Sequence, residues 1–128
     1  MQRAFISLLA LAALEWGNPE FSKAQYAPKC QRNGKPEACI ITPIKSASNE
    51  KQTAERIIFS DHTAYAVIRN ELSCKTIATT TRTCHAKIIT PPGAPKAIAA
   101  TYRGTYYEGG YRHAYTGKGI QIVYFYLD

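Results

Sequence analysis

The chain has 128 residues, with 16 Lys and Arg against 9 Asp and Glu, for a formal net charge of +7 at pH 7. One small domain accounts for that length, since single domains run to about 100–150 residues. Hydrophobic residues make up 45%, too many for a disordered chain. No apolar run beyond residue 20 approaches the roughly 20 residues of a membrane-spanning helix. A multidomain enzyme, a helical membrane protein and a disordered tail are thereby excluded.

Residues 1–24 read as a secretory signal peptide. Arg3 gives a basic start, Phe5 to Leu14 is a short apolar stretch, and Ser22-Lys23-Ala24 places small residues at −3 and −1. Trp16, Asn18 and Glu20 interrupt the approach to Ala24, so earlier cleavage and a buried N-terminal helix are the competing readings. The prediction is a single secreted domain over residues 25–128, monomeric, which keeps the +7 charge and all nine Tyr.

Four cysteines, Cys30, Cys39, Cys74 and Cys84, lie within that domain. An even count in a small secreted chain predicts two disulfides. The three pairings of four Cys stay open, and local pairing would close two short loops. Zinc is set aside, because no close C-x2–4-C pair is present.

Gln25 to Pro43 is rich in Pro, Gly and Lys, with one apolar patch at Ile40-Ile41. Ser46 or Ser48 can cap a helix, Glu50 suits its first turn, and Ala54, Ile57 and Ile58 fall at i, i+3, i+4. The spacing predicts a helix from about Asn49 to Ser60, ended by Asp61-His62. Beyond it the residues are β-branched and aromatic, which favours strands. Strands are predicted at Ala64–Arg69, Lys75–Thr83, Lys87–Thr90, Ala97–Tyr102 and Ile120–Leu127. A turn is expected at Asn70-Glu71 and a loop at Pro91-Pro92-Gly93-Ala94-Pro95. Arg103 to Gly119, with five glycines, reads as a long structured loop. The expected fold is α+β: one helix packed on one face of an antiparallel sheet.

Catalytic and metal-binding motifs are sparse. His62, His85 and His113 share no metal-ligand spacing, and G-x-S-x-G, P-loop and H-E-x-x-H patterns are missing. No cofactor is expected. Glu108, Arg112 and His113 could serve as an acid–base pair beside a cation, although a solvated loop of exposed polar residues is the preferred explanation. The Tyr/Arg stretch says more. Tyr102, Arg103, Tyr106, Tyr107, Tyr111, Arg112, His113, Tyr115 and Lys118 interleave rings with cations. Single-stranded RNA is held by such mixtures, and protein interfaces favour them as well. Tyr can also simply fill a core.

The stretch Ala97-Ile98-Ala99-Ala100-Thr101-Tyr102-Arg103-Gly104-Thr105-Tyr106-Tyr107 resembles the E-F-P-L-V-Y-x-G-x-Y-Y segment of small fungal ribonucleases. Gly119-Ile120-Gln121-Ile122-Val123-Tyr124-Phe125 is similar to their following G-x-D-R-V-I/V-Y/F strand. The resemblance implies a small disulfide-bonded ribonuclease-like domain. It also implies an emptied site, because the positions of the family's general base and phosphate-binding arginine match Ala97 and Ile122. The second catalytic histidine has no match through Asp128, and His62 lies only roughly where the first would be. A basic, secreted, emptied domain of this kind resembles the ribonuclease-like effectors of plant-pathogenic fungi, whose implied role is binding host protein or RNA, inside or beside the host cell, without cleavage. Tyr26-Ala27-Pro28-Lys29-Cys30 departs from their Y-x-C start. The runner-up is an active secreted ribonuclease or small toxin using Glu108, Arg112 and His113. A third reading keeps the effector role on a disulfide-bonded β-sandwich that lacks the helix.

Overall fold

The computed structural model describes residues 28–90 and 96–127; the predicted signal peptide and the proline-rich loop at 91–95 lie outside the described residues. Ten strands follow in chain order: β1 (Lys29–Arg32), β2 (Lys35–Glu37), β3 (Cys39–Pro43), β4 (Gln52–Phe59), β5 (Ala64–Asn70), β6 (Lys75–Ala78), β7 (Thr81–Ile89), β8 (Ala97–Tyr107), β9 (Gly110–Gly117) and β10 (Ile120–Leu127). They form one antiparallel sheet in the order β2-β1-β10-β9-β8-β7-β5-β4-β3, with β6 paired to β7. The two ends of that path, β2 and β3, are separated in the chain only by Ala38. One continuous segment therefore pairs first with β1 and then with β4, and the sheet curls into a near-closed barrel. Closure of this kind removes the exposed edges that an open sheet must otherwise protect.

This architecture overturns the expected α+β fold and the ribonuclease-like layout of a helix on a sheet. Among the described residues the helical pieces are two 3-10 turns, Lys45–Ala47 and Glu71–Ser73, and none is long and apolar enough to cross a membrane. The segment expected as a helix is β4, paired to β3 on one side and β5 on the other. Thr53, Ile57, Ile58 and Phe59 prefer an extended backbone, and a two-residue period puts Glu55, Ile57 and Phe59 on one face. The capping chemistry is present but serves a turn. Ser48 accepts the Ala54 N–H at 3.0 Å and donates to the Ile44 carbonyl at 2.8 Å. Asn49 Oδ1 accepts the N–H groups of Lys51 and Gln52 at 2.7 and 3.1 Å.

The stretch expected as a long loop is likewise a hairpin, β8 and β9 joined through Glu108-Gly109 and registered Tyr107↔Gly110 to Ala100↔Gly117. Its glycines sit where the sheet needs them. Gly109 takes a φ of 93° at the turn, and a Cβ at Gly104 would come within 2.7 Å of the Tyr111 hydroxyl. Lys75–Thr83 is two strands, β6 and the start of β7, split by a turn at Thr79-Thr80. The expected strands at Ala64–Arg69, Ala97–Tyr102 and Ile120–Leu127 fall within β5, β8 and β10.

The barrel interior is filled. Ile57, Phe59, Val67, Ile88, Ile122, Tyr102, Tyr115 and Tyr124 form its central core, with Cys30, Cys39 and Cys84. Two disulfides, Cys30–Cys39 and Cys74–Cys84, use all four cysteines. The first joins β1 to β3 across the closing seam, and the second ties the residue after the Glu71–Ser73 turn to β7. Such bonds are typical of secreted proteins. Arg32 reinforces the seam. It binds Glu37 through two hydrogen bonds of 2.9 and 2.6 Å, Asp61 at 2.7 Å and the Tyr65 hydroxyl at 3.3 Å. Its guanidinium lies 4.5 Å from the centroid of the Phe59 ring. The Arg32 hydrogen bond holds the Asp61 carboxyl well below its ordinary range, with help from the Thr63 amide.

Candidate binding site

Strand alternation divides the Tyr/Arg stretch between two faces. Tyr102, Tyr106, Tyr111, His113 and Tyr115 point into the barrel, while Arg103, Tyr107 and Arg112 point out; Lys118 lies in the β9–β10 turn. Tyr102 and Tyr115 are fully buried, so they are core residues and unavailable to a macromolecular partner. The nine residues do not form one surface.

The inward set belongs to a polar network at one end of the barrel. Arg69, on β5, is buried. It donates to Glu71 at 2.8 Å and to the Tyr115 hydroxyl at 3.1 Å, and its guanidinium sits 4.3 Å from the Tyr102 ring centroid. Arg82, on β7, reaches the other oxygen of Glu71 at 3.2 Å. Thr53 also donates to Glu71, at 2.5 Å. Burial opposes the Glu71 charge, but Thr53, Arg69 and Arg82 together hold its carboxyl below the ordinary value. Tyr124 donates to Glu55, and burial keeps the Tyr124 phenol protonated far above its usual range. Burial also pushes Tyr115 up to about 12, with the Arg69 charge pulling the other way. Arg69, Arg82, Glu55 and Glu71 escaped the sequence reading, because the strands and the turn that carry them hold no motif. The alternation Tyr102-x-Gly104-x-Tyr106, Tyr111-x-His113-x-Tyr115 and Tyr124-x-Tyr126 was the available signal for an inward aromatic face.

His113 stacks on Tyr124 with ring centroids 4.6 Å apart, and its Nδ1 lies 2.7 Å from the Tyr102 hydroxyl. Burial lowers its pKa to about 4, and the charges of Arg69 and Arg82 add to the effect. The unfolded chain takes up this proton near the ordinary value of 6.5, so its contribution to stability is complete above that pH. As the pH falls from about 6.5 towards 4, unfolding becomes favoured by up to about 3 kcal/mol. Urea denaturation at pH 7 and pH 4.5 is expected to show this loss in the parent and much less of it in His113→Gln. Equal losses in both proteins would assign the effect to other groups.

A neutral, enclosed imidazole is poorly suited to acid–base work at pH 7. The Glu108, Arg112, His113 trio is not assembled either: Arg112 and His113 project to opposite faces of β9, and Glu108 sits in the hairpin turn. His62 is exposed and adopts a φ of 71° at the β4–β5 turn.

The outward set does form a surface. Arg112 stands opposite Thr105 on β8 and Phe125 on β10, and Lys29 on β1 stands opposite Phe125 from the other side. Arg103 lies diagonal to Arg112, opposite Ala114, at a separation of roughly 7–8 Å for such pairs. The rings of Tyr107 and Phe125 meet with centroids 5.9 Å apart. Ion pairs in the described residues involve Arg32, Arg69 and Arg82 with Glu37, Asp61 and Glu71. Lys29, Arg103, Arg112 and Lys118 make none among the described residues. Glu37, Asp61 and Glu71 are thus engaged by arginines, whereas Glu108 is exposed at the hairpin tip beside the outward cations.

No family model, curated protein or solved structure matches the chain.

Proposed function

We propose that the chain is a secreted, non-catalytic binding module of the effector kind, and that it holds single-stranded RNA on the outer face of β8, β9, β10 and β1. The observation that carries the reading is the set of cations without an ion-pair partner among the described residues, Lys29, Arg103 and Arg112, around the Tyr107–Phe125 ring pair. Cations neutralise phosphates, and exposed rings stack on bases without regard to sequence. The two disulfides support secretion, and action on a host partner's RNA inside host cells extends that reading. Non-catalysis is supported by the separation of Arg112 from His113 and by the neutral state of the enclosed histidine.

The test is a gel-shift on a single-stranded RNA, with the recovered RNA checked for cleavage. Binding with the RNA intact is expected. Cleavage abolished by His113→Ala or Glu108→Ala would make the protein a ribonuclease. Absence of both binding and cleavage would direct the outer face to a protein partner.

A further inference from the structure

Beside the polar network, at the rim of the barrel, Thr76, Thr79, Thr80, Thr81, Arg82, Tyr106 and Tyr111 line a recess of about 230 Å³. It is built rather than incidental. The Tyr106 N–H donates to the Thr80 carbonyl at 2.8 Å, fastening the β6–β7 turn against β8. The Tyr106 and Tyr111 rings lie tilted by 54° to each other across the β8–β9 hairpin, with centroids 6.3 Å apart. Tyr106 is 52% exposed, so a ring face remains uncovered. Arg82 supplies the charge. It shares Glu71 with Arg69, so these three residues keep a net positive charge, and Glu55 is engaged by Tyr124 and does not line the recess.

From this juxtaposition we infer that the recess is a subsite for one nucleotide, its base against Tyr106 and its phosphate on Arg82, with the threonine hydroxyls left for the sugar. The volume is below the roughly 300–1,000 Å³ of sites that enclose a drug-sized ligand, which limits occupancy to one unit of a longer chain. A bare phosphate would leave the Tyr106 face uncovered, and a neutral sugar would leave the net positive charge of the Arg69–Glu71–Arg82 group unmatched. Both features are used only by a ligand that joins a flat ring to an anion. The inference deepens the RNA reading and rests on it. Tyr107 turns to the outer face and Tyr106 to the recess at the same hairpin tip, so a strand bound outside could pass its terminal nucleotide over the rim.

The experiment is an NMR titration of the disulfide-bonded protein with uridine 5′-monophosphate, with glucuronic acid as a control anion. Saturable shifts are expected at Thr79–Arg82, Tyr106 and Tyr111. Tyr106→Ala, a change at a half-exposed ring, should weaken nucleotide binding about tenfold, within the range found for removing one stacking ring. Arg82→Gln should reduce affinity for the nucleotide while leaving that for uridine unchanged. Shifts elsewhere, an unaffected Tyr106→Ala protein, or equal binding of glucuronic acid would overturn the subsite. A uridine 12-mer separates this outcome from failure of the outer-face reading. If the 12-mer binds in an Arg103- and Arg112-dependent way while the mononucleotide leaves the recess unperturbed, only the subsite falls. If the mononucleotide titrates the recess but the 12-mer is indifferent to Arg103 and Arg112, only the outer face falls.

Discussion

Replacing both disulfides, as Cys30→Ala/Cys39→Ala together with Cys74→Ala/Cys84→Ala, is expected to remove about 5 kcal/mol of stability. Each bond closes a short loop, with sequence separations of 9 and 10, and loop-closure entropy for about ten residues amounts to roughly 2.7 kcal/mol. Small domains have only about 5–15 kcal/mol in total, so the loss should lower the melting temperature by about 20 °C or more. Substitution is a cleaner test than reductant, because Cys30, Cys39 and Cys84 are buried and a reductant must await an opening. The Cys30–Cys39 pair carries a further consequence. It spans the seam at which β2 passes into β3, so its loss should raise amide exchange in β1–β3 first, while exchange in β8–β9 stays slow. A melting temperature unchanged in all variants would mean that the barrel closes without its staples.

The second large effect concerns the outer face. Replacing Lys29, Arg103 and Arg112 with Ala removes three cations that have no ion-pair partner among the described residues. Each phosphate contact to a single strand contributes about 0.7 to the slope of log affinity against log salt. The triple variant should therefore lose about 2 from that slope, and about two to three orders of magnitude in affinity at 50 mM salt. Folding should be untouched, since Lys29 and Arg103 are exposed and none of the three makes an ion pair among the described residues. An unchanged slope would remove these side chains from the interface.

The parts of the fold visible in the sequence were those whose local preference agrees with the barrel. Ala64–Arg69 and Ile120–Leu127 are dense in β-branched and aromatic residues, and they are strands. The β4 segment was misread because three apolar residues at helical spacing also fit a strand, and only its two neighbours, β3 and β5, decide between them. Those neighbours are the strands just before and after β4 in the chain, and their pairing is not visible in the spacing of the β4 residues alone. Ser48 and Asn49 supplied authentic capping chemistry, yet a hairpin-like turn uses the same side-chain acceptors as a helix start. The Arg103–Gly119 stretch was misread because its glycines were taken as loop residues. Gly104 is in fact a close-packing position beneath two phenols, and Gly109 supplies a positive φ. Asn33-Gly34, with φ values of 53° and 81°, is a strong hairpin signal of the two-residue type, and it passed unused.

The candidate site was legible as composition and hidden as geometry. The residue types of the Tyr/Arg stretch were plain, but alternation separates Tyr102, His113 and Tyr115 from Arg103 and Arg112. Two of the nine predicted binding residues, Tyr102 and Tyr115, became core. The charged network of Arg69, Glu71 and Arg82 draws its members from β5, the turn after it and β7, and no short motif encodes such a grouping.

The outer-face assignment is tested most directly by an NMR titration of the isotopically labelled protein with a uridine 12-mer at low salt. Amide shifts concentrated at Lys29, Arg103, Tyr107, Arg112 and Phe125, diminishing as salt is raised, are the predicted result. Shifts concentrated on β4 and β5, on the opposite wall of the barrel, or no shifts at all, would contradict it.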